Sequence, residues 1–442
     1  MPTDAELEAR TMRRITWRLV PFLMLCYFIA YVDRVNVGFA ALQMNKDLGL
    51  SAAQFGLGGG IFFVSYFLFE VPSNLVMQKV GARLWIARIM ITWGLISSGM
   101  VLISGSRSFL ALRFLLGAAE AGFFPGVILY LTYWFPARYR ARIVAVFMVA
   151  IPASSFLGSP LSAVLLDLHG LAGLKGWQWM FLVEAIPAVL LGLAALLLLP
   201  DSPARATWLP AEERAWLRAA LEAEQPRVPT VPHGSLWRVL SNPYVLVAAI
   251  VYAGGTGASV CLSIWQPQII KAHGLTNMQT GLLNSVPFGV ASVAMVLWGR
   301  RSDRTGERTW HTALPSALIA VSLLAAIPAR SLPLTLMVLC AAVVGTYCFK
   351  GPFWALSTGW LSSATAAAGI AQINAIGNLG GFGGTYLLGV IKDRTGSYAL
   401  GLLPLAALTA AGAIGIVVAS RAARARDEAA RATDTRRTGE AA

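Results

Sequence analysis

The sequence predicts an all-α integral membrane protein, with twelve transmembrane helices arranged as two pseudo-symmetric six-helix bundles. Three observations carry this: an apolar excess that no soluble core could absorb, about twelve apolar runs of span length, and a short charged motif repeated between the two halves.

Of 442 residues, 57% are hydrophobic and only 13% charged, with a mean hydropathy of +0.64. An average soluble domain carries about 25% charged residues, so the surplus apolar surface must face lipid. A bilayer core of about 30 Å needs roughly 20 apolar residues per helical crossing. Such runs lie near 17–38, 53–76, 84–104, 109–135, 142–166 and 177–199, and again near 243–268, 279–299, 311–329, 332–360, 368–391 and 397–420. Between the two sets, 200–241 is the one sizeable hydrophilic insert, holding Asp201, Glu212, Glu213, Arg214, Arg218, Glu222, Glu224 and Arg227. The expected organisation is a bundle over 1–199, a cytoplasmic linker over 200–241, a second bundle over 242–420, and a tail over 421–442, disordered beyond a frayed helix.

The net charge of +14 does not point to nucleic acid, because the basic residues sit in short clusters between apolar runs rather than on one face. Those clusters set orientation instead. Lys79 and Arg83, then Arg138, Arg140 and Arg142, then Arg300, Arg301, Arg304 and Arg308 follow even-numbered spans, whereas Lys46, Arg107, Lys175, Lys271 and Arg330 mostly stand singly after odd ones. Lys392 and Arg394 are an exception, with Asp393 between them. Both termini are therefore expected on the cytoplasmic side. The first run follows Arg10, Arg13, Arg14 and Arg18, is too long for a signal h-region and lacks a cleavage site, so it reads as an uncleaved first span. Cys26, Cys261, Cys340 and Cys348 all lie in apolar runs without metal-ligand spacing.

After the eighth span stands Gly299-x-x-x-Asp303-Arg304-x-Gly306-x-Arg308. At an offset of 225 residues, after the second span, stands Asn74-x-x-x-Gln78-Lys79-x-Gly81-x-Arg83. The basic residue, the second glycine and the last arginine recur; the first glycine and the aspartate do not. Parallel six-span repeats with a substrate site near the pseudo-symmetry axis are a transporter architecture.

The motif from Gly299 to Arg308 resembles the loop signature of the major facilitator superfamily. More narrowly, the chain resembles the anion:cation symporter family, which includes aldonate, tartrate and phthalate permeases. The resemblance rests on Tyr31-Val-Asp33-Arg34-Val-Asn36, Tyr66-Phe-Leu-Phe-Glu70-Val-Pro72, Arg113-Phe-Leu-Leu-Gly117-Ala-Ala-Glu120, and Gly176-Trp177-Gln-Trp179 through Glu184, followed by Pro200-Asp-Ser-Pro203. It covers nearly the whole chain and departs at the degenerate first loop and at Gln178, where an arginine is usual. It implies a secondary transporter of a bacterial inner membrane, working as a monomer by alternating access. The expected cargo is a small organic carboxylate: a sugar acid, a tartrate-like hydroxy acid or an aromatic carboxylate. No cofactor is expected; the coupling ion is a proton, with sodium the alternative.

Charged side chains inside spans sharpen this, since each costs about 2.5–3.5 kcal/mol at mid-bilayer. Asp33, Arg34, Arg113, Glu120 and Lys350 are such residues. Arg113 and Glu120 are seven apart, so they share a helix face at a separation of about 10 Å and must each find another partner. The resemblance makes Arg34 and Arg113 ligands of the cargo anion, and arginine suits this because its planar fork grips a carboxylate through two parallel hydrogen bonds. It makes Asp33 and Glu120 the proton carriers, with Glu120 preferred because Asp33 adjoins Arg34. It also places Tyr31, Tyr66, Trp354 and Asn374 at cargo-binding positions, with Gln372 and Asn378 on cavity-lining spans. Gly299, Asp303, Arg304, Gly306 and Arg308 would govern the conformational change. Glu70 reads as a structural or gating contact and Glu184 as structural. Lys350 would either hold a second carboxylate or be paired or snorkelled.

Other classes find less support. Within transport the alternative is a proton-coupled exporter of drugs or a facilitator of a neutral solute, and a cationic drug would lie beside two repelling arginines. For an enzyme there is no Ser/His/Asp set, no nucleotide loop, and no histidine cluster, since His169, His233, His273 and His311 lie near span ends or in connections. A transporter-fold sensor would need an output domain longer than the one soluble insert.

Overall fold

In the computed structural model, residues 4–224, 242–360 and 366–439 are described. Residues 225–241 of the linker, with Arg227 and His233, lie outside them. Every expected span coincides with helix. The first half comprises α1 (Asp4–Asp47), α2 (Ala52–Val80), α3 (Ala82–Gly99), α4 (Ser106–Glu120), α5 (Phe123–Thr132), α6 (Ala137–Met148), α7 (Ala150–Leu166), α8 (Gly176–Leu198) and the linker helix α9 (Ala211–Ala223). The second comprises α10 (Pro243–Lys271), α11 (Asn277–Thr305), α12 (Thr309–Ala325), α13 (Leu332–Cys348), α14 (Lys350–Gly359), α15 (Ala366–Thr395), α16 (Tyr398–Gly401) and α17 (Leu403–Gly439). Among the described residues, ten helical segments are long and apolar enough to cross a membrane, and Thr309–Ala325 is a shorter apolar helix. The glycine-rich α15, 30 residues long, occupies the eleventh expected span.

Two departures have local causes. The fourth span is not one straight helix: it breaks between α4 and α5 at Gly122, whose φ of 87° is left-handed. Past Arg421, where disorder was expected, α17 continues to Gly439; the segment is rich in alanine and arginine, both strong helix formers.

The internal repeat extends further than the loop motif. At the same offset of 225 residues, the second and eighth spans open with matching capping boxes. Ser51 Oγ accepts the Gln54 N–H at 3.2 Å while Gln54 Oε1 accepts the Ser51 N–H at 3.1 Å. Thr276 and Gln279 repeat the exchange at 3.2 and 3.0 Å. Each box follows a glycine at positive φ, Gly49 at 62° and Gly274 at 82°, and each loop motif turns on another, Gly81 at 98° and Gly306 at 65°.

By contact the chain forms two compact units: one of residues up to 224 together with Ser263–Gly289, the other of 242 to Leu262 together with Val290 onward. Ser263–Gly289 joins the first unit through close packing. A Cβ on Gly38 would stand 2.6 Å from the Ile264 carbonyl, and one on Gly281 2.8 Å from that of Ser159. Asn284 Nδ2 donates to Ser159 Oγ at 2.8 Å. Within the first unit, α3 packs along α8, α2 along α4, and α1 against α7 and α8; within the second, α12 packs on α13 and α17. The linker is more than a tether. Helix α9 buries Glu213, which pairs with Arg10 at 3.0 Å and Arg14 at 3.1 Å on the extension of α1 that precedes the first span.

The α3–α8 contact depends on two facing glycines. A Cβ on Gly94 would lie 2.7 Å from Val189 Cγ2, and one on Gly192 2.7 Å from Ile91 Cγ1 and 3.0 Å from its backbone nitrogen. Leucine at either position is expected to lower stability by about 1–3 kcal/mol, the usual cost of overpacking. Thermal unfolding in detergent checks this: both variants should unfold below the wild type, and unchanged midpoints would show that the helices part without cost.

Candidate functional site

The first unit concentrates its buried charge where α1, α2 and α4 meet. Arg34 and Glu120 form an ion pair, with side chains 16% and 2% exposed. This joins α1 to the last residue of α4, just before the Gly122 break. Three rings stand around the Arg34 guanidinium, with Tyr31, Phe62 and Tyr66 centroids at 4.6, 5.3 and 5.5 Å. Such rings favour a cation through their negative faces.

Arg113, one residue position facing inward two turns earlier on α4, is fully buried. Its Nε donates to the Gly58 carbonyl at 3.1 Å and its Nη2 to that of Gly59 at 3.2 Å, while the guanidinium lies 5.0 Å from the Phe62 ring. Its Nη1 is buried with no hydrogen-bond partner among the described residues, and so is Nε of Arg34. An unmatched buried donor costs about 1–3 kcal/mol, so both arginines keep capacity for an acceptor.

Asp33 and Arg34 are chain neighbours but serve different partners. Asp33 turns into the bundle, where its carboxylate accepts from Trp93 Nε1 at 2.5 Å, from Asn36 Nδ2 at 3.1 Å and from the Ser97 hydroxyl. Although Asp33 adjoins Arg34 in the chain, successive helical residues point about 100° apart, and the carboxylate that Arg34 holds is Glu120. Glu70 lies within electrostatic reach of Arg34. Tyr31, Asp33, Arg34, Tyr66, Arg113 and Glu120 thus gather in one unit; Asn36 of the same motif serves Asp33, and Trp93 and Ser97, which no sequence motif marks, complete its environment.

The second unit holds Lys350, Trp354 and Asn374. Lys350 Nζ donates to Ser259 Oγ at 3.5 Å and lies 4.8 Å from the Tyr347 ring centroid. Trp354 meets Tyr252 edge-on at 5.0 Å. Gln372, Asn374 and Asn378 are partly buried on α15.

The loop motif closes on itself at the end of α11. Arg308 Nη1 donates to Asp303 Oδ1 at 2.7 Å and to Ser302 Oγ at 2.9 Å across the turn at Gly306. Beside it, Glu307 accepts the backbone N–H of Trp310 at 2.8 Å and of His311 at 3.1 Å. Burial opposes its charge, but these donors and the His311 ring hold its carboxyl below the usual carboxylate range. Gly299 is open to its surroundings, and Arg304 lies in the last turn of the helix. In the first half the motif lacks its aspartate, and Asp201 stands in from 118 residues away: its Oδ1 accepts the Arg83 N–H at 3.1 Å and its Oδ2 lies 3.7 Å from Arg83 Nε. Pro200-Asp-Ser-Pro203 was visible as a motif, but that distance hid its partner.

Asp303→Asn removes the charge that fixes Arg308 while leaving the turn intact. It is expected to slow cargo exchange across the membrane severalfold with little change in binding. Lost binding at unchanged turnover would take Asp303 out of the conformational role.

The pattern of the Major Facilitator Superfamily matches residues 23–385. A protein of Agrobacterium vitis named "Putative tartrate transporter" is 54% identical over 420 residues, covering 95% of this chain and 97% of its own. The "Quinolone resistance transporter" of Acinetobacter baumannii is 41% identical over 401 residues, covering 90% and 92%. The crystal structure of a D-xylose-proton symporter superposes with a TM-score of 0.73 at 14% identity over 90% of this chain and 97% of that one, a likeness of fold alone. With this pattern over most of its length, and the repeated capping boxes and loop turns of two six-span halves, the chain is a multi-pass membrane transporter that belongs to the Major Facilitator Superfamily.

Proposed function

We propose that the protein takes up a small organic carboxylate together with protons across the bacterial inner membrane, as a monomer with both termini in the cytoplasm. A tartrate-like hydroxy-diacid is the first candidate cargo. The observation that carries the reading is the pair of buried arginines with unmatched donors, one of them bound to a carboxylate that can take up a proton. The relatives named for tartrate transport support the cargo class.

The proposed cycle follows from charge. In the cargo-free site, Arg34 and Glu120 neutralise one another. A cargo carboxylate competes for Arg34, and Arg113 offers its free Nη1 donor. Once the anion holds Arg34, an ionised Glu120 loses its counter-charge in a dry site, so protonation becomes favourable. Anion and proton then bind together, and the loaded site returns close to neutrality, which makes its reorientation in the membrane far less costly than that of a half-loaded one. Arginine cannot supply the proton, because it does not deprotonate in a usable pH range. Tyr31 and Tyr66 hold the Arg34 guanidinium in place. The opposite direction, export of an aromatic acid, is the second reading; the relative named for quinolone resistance favours it.

Labelled tartrate in proteoliposomes tests both readings. Accumulation driven by an acid exterior, abolished by a protonophore and indifferent to sodium, supports proton-coupled uptake. Sodium-driven accumulation would replace the coupling ion. Transport of ciprofloxacin with no tartrate flux would favour the second reading.

Arg113→Lys retains a positive charge but loses the planar fork and the bonds to both glycine carbonyls. A charge-assisted hydrogen bond contributes about 1.5–3 kcal/mol, so tartrate affinity is expected to fall about tenfold or more at normal expression. Wild-type affinity in the lysine variant would remove Arg113 from the cargo site.

A further inference from the structure

A buried carboxylate outside the proposed cycle lies within electrostatic reach of Asp33. Glu184 of α8 is 3% exposed and Asp33 is 1% exposed. Glu184 Oε1 accepts one hydrogen bond, from Ser162 Oγ on α7 at 2.7 Å. Its Oε2 is buried with no partner among the described residues. The Asn36 amide, which donates to Asp33 at 3.1 Å, also faces Glu184.

The surrounding charges are few. Helix α8 packs against α1, α3, α7 and the turn at Met100–Leu102. From α1, Asp33 is within electrostatic reach of Glu184, while Arg34 is taken by Glu120. Helix α7 and that turn contain no ionisable residue. On α3, Arg88 stacks on Trp85 at 3.8 Å and reaches the Ala119 carbonyl at 3.5 Å. Among the described residues Glu184 therefore meets no cation: one hydroxyl donates to Oε1, the Asn36 amide that serves Asp33 is close, and Oε2 has no hydrogen bond. Asp33 has three donors and Arg113 within electrostatic reach.

Two buried carboxylates within electrostatic reach of one another each make the other's ionisation more costly. The hydrogen bonds decide which one keeps the proton. Three donors satisfy an anion at Asp33, whereas an oxygen with no donor fits a neutral acid at Glu184. We propose that Glu184 is a buried proton-binding site of this carrier, holding a proton more readily than Asp33, whose three donors favour the anion. The proton comes from and returns to water, and only the O–H bond of the carboxyl forms or breaks. That this proton is among those moved with cargo rests on the proton-coupled reading above; its residence on Glu184 does not.

Infrared spectroscopy of the purified protein in lipid nanodiscs at neutral pH reads the protonation directly. The carbonyl stretch of a buried carboxylic acid is expected in the wild type, lost in Glu184→Gln and kept in Asp33→Asn. Ser162→Ala leaves Glu184 in place but removes its one donor, and should move the band to higher frequency. This second variant keeps the test open if Glu184→Gln does not fold. A band indifferent to both substitutions, or lost only in Asp33→Asn, overturns the proposal. In tartrate assays, Glu184→Gln should lower uptake driven by a pH gradient and flatten its pH profile, with partial rescue by Glu184→Asp and normal counterflow. A wild type that ignores tartrate would count against the cargo reading, while the infrared assignment would stand or fall on its own.

Discussion

An arginine and a glutamate facing each other inside a membrane constrain everything around them. Removing two charges from water costs several kcal/mol per ion, and their attraction offsets this only with good geometry and further hydrogen bonds. The Arg34–Glu120 pair meets the requirement through position. Glu120 is the last residue of α4, and Gly122 turns the chain directly afterwards, bringing the carboxylate to α1. Tyr31, Phe62 and Tyr66 surround the guanidinium. Break either partner and the other is an uncompensated charge in a dry place. In the proposed cycle, an arriving anion exerts this same stress on the pair, and a proton relieves it.

The other buried charges of the first unit are satisfied by different means, and the sequence around each follows from the choice. Arg113 uses the backbone carbonyls of Gly58 and Gly59 on α2. A Cβ on Gly58 would collide with the Phe109 ring. Asp33 uses an indole, an amide and a hydroxyl. Glu184 has a single serine. These arrangements differ in how readily they yield. Backbone carbonyls hold Arg113 in one charge state, whereas an ion pair responds to any competing ion.

The membrane class, the twelve spans and the repeat were legible in the sequence because each depends on local composition or on spacing along the chain. The apolar runs set the helices, and the offset of 225 residues ties Gly81 to Gly306 and Ser51 to Thr276. The set of intramembrane charges was legible too, since such residues are costly wherever they occur. Their pairing was not. Asp33 and Arg34 look like partners in sequence, yet helical rotation sends them to different neighbours. Asp201 replaces the missing aspartate of the first loop from 118 residues away, and Ser162 meets Glu184 across two helices. No local pattern encodes such contacts, because they arise only when α1, α3, α7 and α8 pack together.

The central claim is that Glu120 alternates between holding Arg34 and holding a proton. Replacing it with glutamine imitates the protonated form permanently. Exchange of bound anion needs no proton release, but net accumulation does. In proteoliposomes containing the Glu120→Gln protein, tartrate counterflow and uptake under an imposed pH gradient are measured side by side. The account predicts counterflow near the wild-type rate with gradient-driven uptake lost. Both persisting at the wild-type level would contradict it and leave Glu120 a structural partner of Arg34.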